Sequence, residues 1–386
     1  MRYLVPRIIE AGHEAMIAPF FGYSGPPLKM PLGGEMVQML PPGHEGHINN
    51  IIDFHVRNWG IDAVISLCDV WIFNDWGEKG FVWLPRFPID THPISKPTLE
   101  AIKGCHTPLA LTKWGQQELI SAGWETAKYI PHGVDCDIYK PRDKAECREA
   151  VELPEDAFVA GMVAANSSEP SRKSFPEVVQ AWRLFKESGG EGYLYLHTAQ
   201  VPENRHKNGV DLRQIIETMG LTYAAMNEQR GKVLEADVLF SSQYKLGIEA
   251  YDDEWLAKLY NAFDVLLLPS RAEGFGIPLI EAQACGVPVV SNGVTSMPEL
   301  TFAGECLEPL QWAWSTRKEG VKDGGWRGIA DVDAIAEAID WAANLDDDER
   351  ENQAQLARCG ALQFDWEALI EHRWLPLMEE LSEWIA

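Results

Sequence analysis

The chain has 386 residues, 33 of them basic and 58 acidic, giving a net charge of −25 at pH 7. A domain usually takes roughly 100–200 residues, so two domains are expected, and the acid excess excludes a chain-wide basic surface for nucleic acid or an anionic bilayer. With 46% apolar and 24% charged residues the composition is that of a folded protein, so any anionic ligand must be caught by a local pocket.

In chain order, Tyr3, Leu4, Ile8 and Ile9 stand at near-helical spacing before Gly12 and predict an opening helix. Residues 15–19 read as a short buried strand, followed by strands at 63–67, 81–84, 109–112 and 129–130, with a helix at 114–122 between the later ones. Strands alternating with helices predict a mostly parallel sheet. Residues 141–156 are polar and flanked by proline, which fits a connector. A second alternation then begins: strands at 158–164, 193–197, 238–240, 265–269 and 287–291, with helices at 176–186, 212–219, 254–262 and 278–285. Helices at 332–344 and 347–363 follow, and a last one at 366–384 places Trp366, Ile370, Trp374 and Leu381 near one face, as a packing helix does. The implied domains are 1–141, 142–362 and a C-terminal helix at 363–386. Two open parallel sheets in tandem put their strand C-terminal edges beside a shared cleft, the usual ligand location, so the chemistry is expected between the domains.

Seven cysteines without a CxxC pair argue against a disulfide framework or a zinc ribbon. No apolar run approaches the roughly 18 residues of a membrane span. The expectation is a cytoplasmic, reduced protein. The 15 tryptophans follow no fixed period, which argues against a solenoid or propeller. The triplets Asp135-Cys-Asp137 and Asp331-Val-Asp333 are of a kind common in an acidic chain, and His44 and His47 stand in a glycine-rich loop that reads as solvated, so no metal is expected.

The most informative stretch runs from Pro269 to Val290, PSRAEGFGIPLIEAQACGVPVV. A buried strand ends, a loop carries Glu273, and Pro278 opens a helix containing Glu281. The amides of Phe275, Gly276, Ile277 and Leu279 then lie at a positive helix N-terminus suited to phosphate. The two glutamates, with seven residues between them, add acceptors for sugar hydroxyls. The competing reading is that Gly274, Gly276 and Pro278 only make a tight turn.

This stretch closely resembles the E-x7-E signature of the retaining glycosyltransferases of family 4, and the similarity extends through 259–270, Ser296-Met-Pro-Glu-Leu300 and Ile130-Pro-His-Gly-Val-Asp135. The resemblance implies the GT-B architecture, an α/β fold of two facing Rossmann-like domains with parallel sheets, the first here lacking its first strand. Either the chain begins inside a longer gene or it works with a shortened first sheet. The resemblance further implies that Glu273 bonds the donor sugar, Glu281 holds the nucleotide ribose, and the amides after Glu273 meet the sugar and diphosphate. Asn166-Ser-Ser-Glu-Pro-Ser-Arg-Lys-Ser174 is similar to the loop that supplies cations to the phosphates. Arg172 offers a planar fork and Lys173 a point charge, with Asn166 where family members often place an earlier cation. Base contacts would come from backbone and from loops around 241–248.

On the acceptor side, Asp90 and His92 follow the strand at 81–84 and are candidates for contacting the sugar or positioning the acceptor; a plain connecting loop is the competing reading. Asp69 and Trp71 follow the strand at 63–67, with Trp76 nearby, and Lys113 and Trp114 follow the strand at 109–112. The implied activity is transfer of a sugar from a nucleoside-diphosphate sugar to an unnamed hydroxyl acceptor, with retention, no metal and no further cofactor. The alternatives are a nucleotide-sugar-binding protein that has lost catalysis and a sugar-nucleotide epimerase of the same architecture.

Overall fold

The computed structural model describes residues 1, 3–20, 25–43, 48–168, 170–202, 209–226, 233, 235–316 and 324–385. His44 and His47 lie outside the described residues. The chain divides into two compact units, Met1–Gly133 with Thr316–Gly325 and Phe364–Ala386, and Val134–Ser315 with Trp326–Gln363.

The first unit opens with the expected helix, Leu4–Glu10. The short strand that follows, Met16–Ile17, does not stand alone: it runs parallel to Glu35–Met39, which pairs antiparallel with Leu28–Leu32. That hairpin was not anticipated, although its signal is present. Gly33 and Gly34 both adopt positive φ, 56° and 91°, the backbone a tight two-residue hairpin turn requires. A separate parallel sheet runs in the order Ala63–Leu67, Val82–Phe87, Leu109–Ala110, Lys128–Tyr129. Its second strand continues past the expected residue 84 because Arg86 can be buried there. The guanidinium Nε donates to the Ile130 carbonyl at 3.0 Å and its Cζ stands 5.6 Å from the Trp374 ring. Beside the outermost strand, Ala63–Leu67, lies a cavity of about 440 Å³ walled largely by apolar side chains, among them Leu4, Ile17, Ile52, Ile65 and Leu381.

The expected single C-terminal helix is broken into Trp366–Leu369, a π-helical turn Ile370–Trp374, and Leu375–Ile385. Pro376 has no N–H for a regular ladder, and the wider turn before it accommodates that loss. Trp366, Ile370, Trp374 and Leu381 nonetheless share one apolar cluster with Leu84, Leu109 and Ile130.

In the second unit, the segment expected to be a plain connector contains a helix, Lys144–Ala150, capped by the Asp143 carboxylate, which accepts from the Glu146 amide at 2.8 Å. The helix is held because Arg148, nearly fully buried, meets Asp264 at 2.7 Å, while the same carboxylate accepts the Val159 amide at 2.7 Å. Seven strands form one sheet, in the order Tyr223–Ala225, Val238–Phe240, Tyr193–His197, Val159–Val163, Val265–Leu268, Val289–Asn292, Gly304–Leu307, with every neighbouring pair parallel. The interior strand Val265–Leu268 is wholly buried, as a strand covered on both faces must be. Gly161 is dictated by packing, since a Cβ there would lie 2.2 Å from the Phe263 ring.

A two-stranded ribbon, Gln311–Thr316 with Gly324–Ile329, interrupts the chain between the last sheet strand and the helix Val332–Ala343; alternation alone did not disclose it.

Candidate functional site

Chain connectivity selects the place. The first strand of the second unit, Val159–Val163, is followed by its neighbour Tyr193–His197 on one side, whereas Val265–Leu268 flanks it on the other. The connections therefore leave in opposite directions at this pair, and the C-terminal ends of two such strands open a crevice. The loops that emerge there contain Arg172 and Lys173 from one strand and Glu273 from the other. The Arg271 amide donates to the Arg172 carbonyl at 2.8 Å, tying the loops together.

Glu273 is 5% exposed and lies between both cations. Arg172 Nη1 donates to Glu273 Oε2 at 3.1 Å and to the Ala272 carbonyl at 2.6 Å, while Lys173 Nζ bonds Glu273 Oε1. Burial by itself would raise the carboxyl pKa; Lys173 and then Arg172 outweigh it and hold Glu273 at about 2. The trio carries a net charge of +1. Arg271, which the sequence reading did not assign, pairs with Glu177 at 2.7 Å at the same loop.

Beyond Glu273 the chain turns through Gly274 and Phe275 into the helix Ile277–Ala284, with Gly276 as N-cap at φ 107°. Only glycine takes that backbone without strain, and no side chain caps this N-terminus. Gly276 and Pro278 are part-exposed and Ile277 is exposed, whereas Leu279 is buried and its amide donates back to the Gly276 carbonyl at 3.0 Å. The loop is held from behind. Ser296 Oγ donates to the Glu273 and Phe275 carbonyls at 3.0 and 2.7 Å, and Thr295 Oγ1 accepts the Glu273 amide at 3.0 Å. Sequence reasoning reached Ser296 through the segment similarity without giving it this role.

Glu281, partly exposed one turn into the helix, accepts from the Tyr260 hydroxyl at 2.8 Å. Burial, then the Glu281 charge, push the Tyr260 phenol well above its ordinary range, so it stays a donor. Asn166 is placed differently from a ligand-facing residue. It is buried, its Nδ2 donates to the Ala199 and Val210 carbonyls at 3.1 and 2.7 Å, and its Oδ1 accepts the Val210 amide at 2.9 Å. It shapes the loop.

At the end of Tyr193–His197 a polar cluster was missed: His197 Nδ1 and Ser241 Oγ are 2.6 Å apart, with the Tyr195 hydroxyl 3.1 Å from the same oxygen. Burial lowers the His197 pKa to about 4, so the ring is neutral at pH 7. Gln243 binds this loop to its neighbour, donating to the Thr198 and Ser241 carbonyls at 3.2 and 2.9 Å. Alternation located these strands but could not show which polar residues end them on one edge.

In the first unit, Asp90 is part-buried and His92 exposed, with His92 Nδ1 and Glu118 Oε2 2.8 Å apart. Asp69 starts a short 3-10 turn, Val70–Ile72, that leaves Trp71 40% exposed. Trp76 is a core residue, 1% exposed, donating from Nε1 to Asn49 Oδ1 at 2.7 Å. Lys113 Nζ lies 5.9 Å from the Tyr129 ring centroid. The acidic triplets are turn and cap devices: Asp135 accepts the Asp137 amide at 3.0 Å, and Asp331 accepts the Asp333 and Ala334 amides at 3.0 and 3.3 Å. Among the described residues no helix is long and apolar enough to cross a membrane.

Open parallel α/β sheets define the class of fold, and its likeness to solved structures is to the GT-B glycosyltransferases. Sucrose-phosphate synthase from Thermosynechococcus elongatus superposes with a TM-score of 0.71 at 16% identity, covering 98% of this chain and 92% of that one. HepE from Anabaena, solved in complex with UDP and glucose, gives 0.61 at 18% identity over 91% of this chain and 87% of that one. The sequence match is more local. Residues 228–343 match the family described as Glycosyl transferases group 1, the resemblance expected from the signature. The O-antigen chain mannosyltransferase B of Escherichia coli is 40% identical over 89 residues, 22% of this chain and 23% of that protein. The aligned segment thus spans under a quarter of that curated relative's length.

Proposed function

We propose that the protein is a glycosyltransferase that takes a sugar from a nucleoside-diphosphate donor and passes it to a hydroxyl acceptor with retention of configuration, without a metal. The observation that carries this reading is the convergence of Arg172, Lys173 and Glu273 at the strand crossover, beside the open N-terminus of Ile277–Ala284. Departure of a nucleoside diphosphate builds negative charge on the leaving phosphate. Two cations and a helix N-terminus already fixed in place stabilise that charge without reorganising. They supply the electrostatic role a divalent cation plays in other transferases. Incoming diphosphate competes with Glu273 for both cations, and the carboxylate, relieved of part of that pairing, accepts from sugar hydroxyls. Glu281, oriented by Tyr260, is set to accept from the ribose. Leaving-group phosphate takes the acceptor proton, so no dedicated base is assigned.

UDP-, GDP- and ADP-sugars are the first donors to test, by thermal shift, because a ligand bound to the native state raises the melting temperature by mass action. The neighbour solved with UDP puts UDP-sugars first. A donor that stabilises the chain and is consumed in the presence of EDTA, with the product anomer matching the donor by proton NMR, supports the reading. Metal-dependent turnover or an inverted product would contradict those parts of it. Stabilisation without transfer or donor hydrolysis would leave a binding protein, and a released epimer of the free donor would make it an epimerase.

A further inference from the structure

The ribbon Gln311–Thr316 and Gly324–Ile329 carries three tryptophans that the donor site does not use. Trp312 and Trp314 are two apart on one strand and therefore share a face. Trp326 meets Trp314 edge-on, with ring centroids 5.5 Å apart at 84°. The rings are 51%, 52% and 43% exposed. An aromatic side chain of this size presents up to about 250 Å², so together they leave on the order of 350 Å² of apolar surface, within the roughly 300–600 Å² of the largest and often functional patch on a monomer. The same chain buries Trp76, Trp83, Trp182 and Trp374 to under 2% exposure, so the ribbon's tryptophans are set apart from those its cores absorb.

The base of the ribbon is fastened to the candidate site. The Gly328 amide donates to the Arg271 carbonyl at 3.1 Å, and Asn292 Nδ2 donates to the Gly328 and Ser270 carbonyls at 3.2 and 3.1 Å. Ser270 and Arg271 lie two to three residues before Glu273, so the base of the ribbon is tied to the loop that holds the site.

We propose that Trp312, Trp314 and Trp326 form a stacking platform for a carbohydrate acceptor, an inference that rests on the glycosyltransferase reading of that site. One side of a pyranose ring is lined by C–H groups, which the negative face of an indole attracts, while the hydroxyl rim stays in water. Leu310, 61% exposed, adds apolar surface just before the first strand, whereas the residues interleaved with the rings, Ala313, Ser315 and Arg327, are small or polar, so the ring face is narrow and lacks the broad surround of a protein hot spot. A bilayer is disfavoured by the net charge of −25, since interfacial tryptophans need basic residues to hold an anionic surface.

The test uses the full chain with maltotetraose, cellotetraose and mannotetraose as probes, followed by calorimetry and saturation-transfer NMR, on wild type, Trp312→Ala/Trp314→Ala and Trp314→Phe. At least one tetrasaccharide should bind wild type, with saturation strongest on ring C–H protons. The double variant should weaken it at least tenfold, and Trp314→Phe, which keeps an aromatic face, should retain most of the affinity. Melting of the unliganded double variant within a few degrees of wild type separates lost stacking from lost folding. Absence of binding to all three probes, or unchanged affinity in the double variant, overturns the platform. So does a wild-type dimer that the double variant dissociates, or wild-type binding to phosphatidylcholine vesicles that it abolishes. The thermal shift with nucleoside diphosphates is measured in parallel; its failure would remove the donor reading, whereas tetrasaccharide binding decides the platform.

Discussion

The two units use the same alternation of strand and helix to different ends. In the second, seven strands join into one parallel sheet, and its interior strand Val265–Leu268 has no exposed residue. In the first, strands are divided between a three-stranded and a four-stranded sheet, with a cavity of about 440 Å³ beside Ala63–Leu67. A continuous sheet whose interior strands are buried holds the loops at its C-terminal edge in place, as a site of fixed charges requires. A divided sheet leaves room for its elements to adjust.

The largest expected effects fall on the fixed charges. Lys173→Ala should lower single-turnover transfer about 10²–10³-fold, the range for loss of one preorganised electrostatic group. Glu273→Ala should also be severe, because it removes the acceptor assigned to the donor sugar. Neither should alter the first unit's unfolding. Full transfer by either variant removes that residue from the chemistry.

Next comes the anchor of the second sheet. Asp264 joins Arg148, Lys144 and the Val159 amide at 2.7, 2.9 and 2.7 Å. Asp264→Ala leaves the buried Arg148 without its carboxylate and should cost about 3–5 kcal/mol. Denaturant unfolding should show the second unit melting earlier and the first unchanged. Equal loss in both would mean they unfold as one body, against the contrast drawn between them.

Much of this was legible in sequence. Strands 63–67, 193–197 and 238–240 were read with their observed bounds, because β-branched and aromatic runs between turn residues leave little choice. The stretch around Glu273 was legible because a strand end, two glycines, a proline and two spaced carboxylates make a local pattern. What escaped depends on partners distant in sequence. Ser296 clamps a loop 21–23 residues away, Asn166 spends its amide on Ala199 and Val210, and Arg86 enters a strand because Ile130 and Trp374 receive it. The ribbon escaped because its strands are rich in glycine, serine and tryptophan and lack the aliphatic run of a buried strand.

A smaller effect tests the clamp. Ser296→Ala removes the donor to the Glu273 and Phe275 carbonyls, each bond worth about 0.5–1.5 kcal/mol. Transfer should fall roughly tenfold at saturating donor, with stability reduced by one or two bonds. The acid limb is a related test. Because Glu273 is held at about 2, below its ordinary value of 4.5, its pairing stabilises the fold above pH 4.5 and that contribution is lost as pH falls from 4.5 towards 2. Glu273→Gln should flatten this part of the stability profile; an unchanged profile would show that the pairing contributes nothing there.

The smallest expected change probes the contrast most directly. Ile65 lies on an edge strand of the first unit's parallel sheet and lines the cavity, while Leu267 lies wholly buried in an interior strand of the second. Ile65→Phe adds volume where there is space, so the extra ring can be buried without displacing neighbours, and stability should change by less than about 1 kcal/mol, with either sign allowed. Leu267→Phe must force side chains out of their rotamers and should cost about 1–3 kcal/mol. The pair is read by chemical denaturation of the two variants side by side. A large loss at Ile65 would mean that the cavity walls are as tightly constrained as the second sheet, and the distinction between an adjustable and a fixed unit would fall with it.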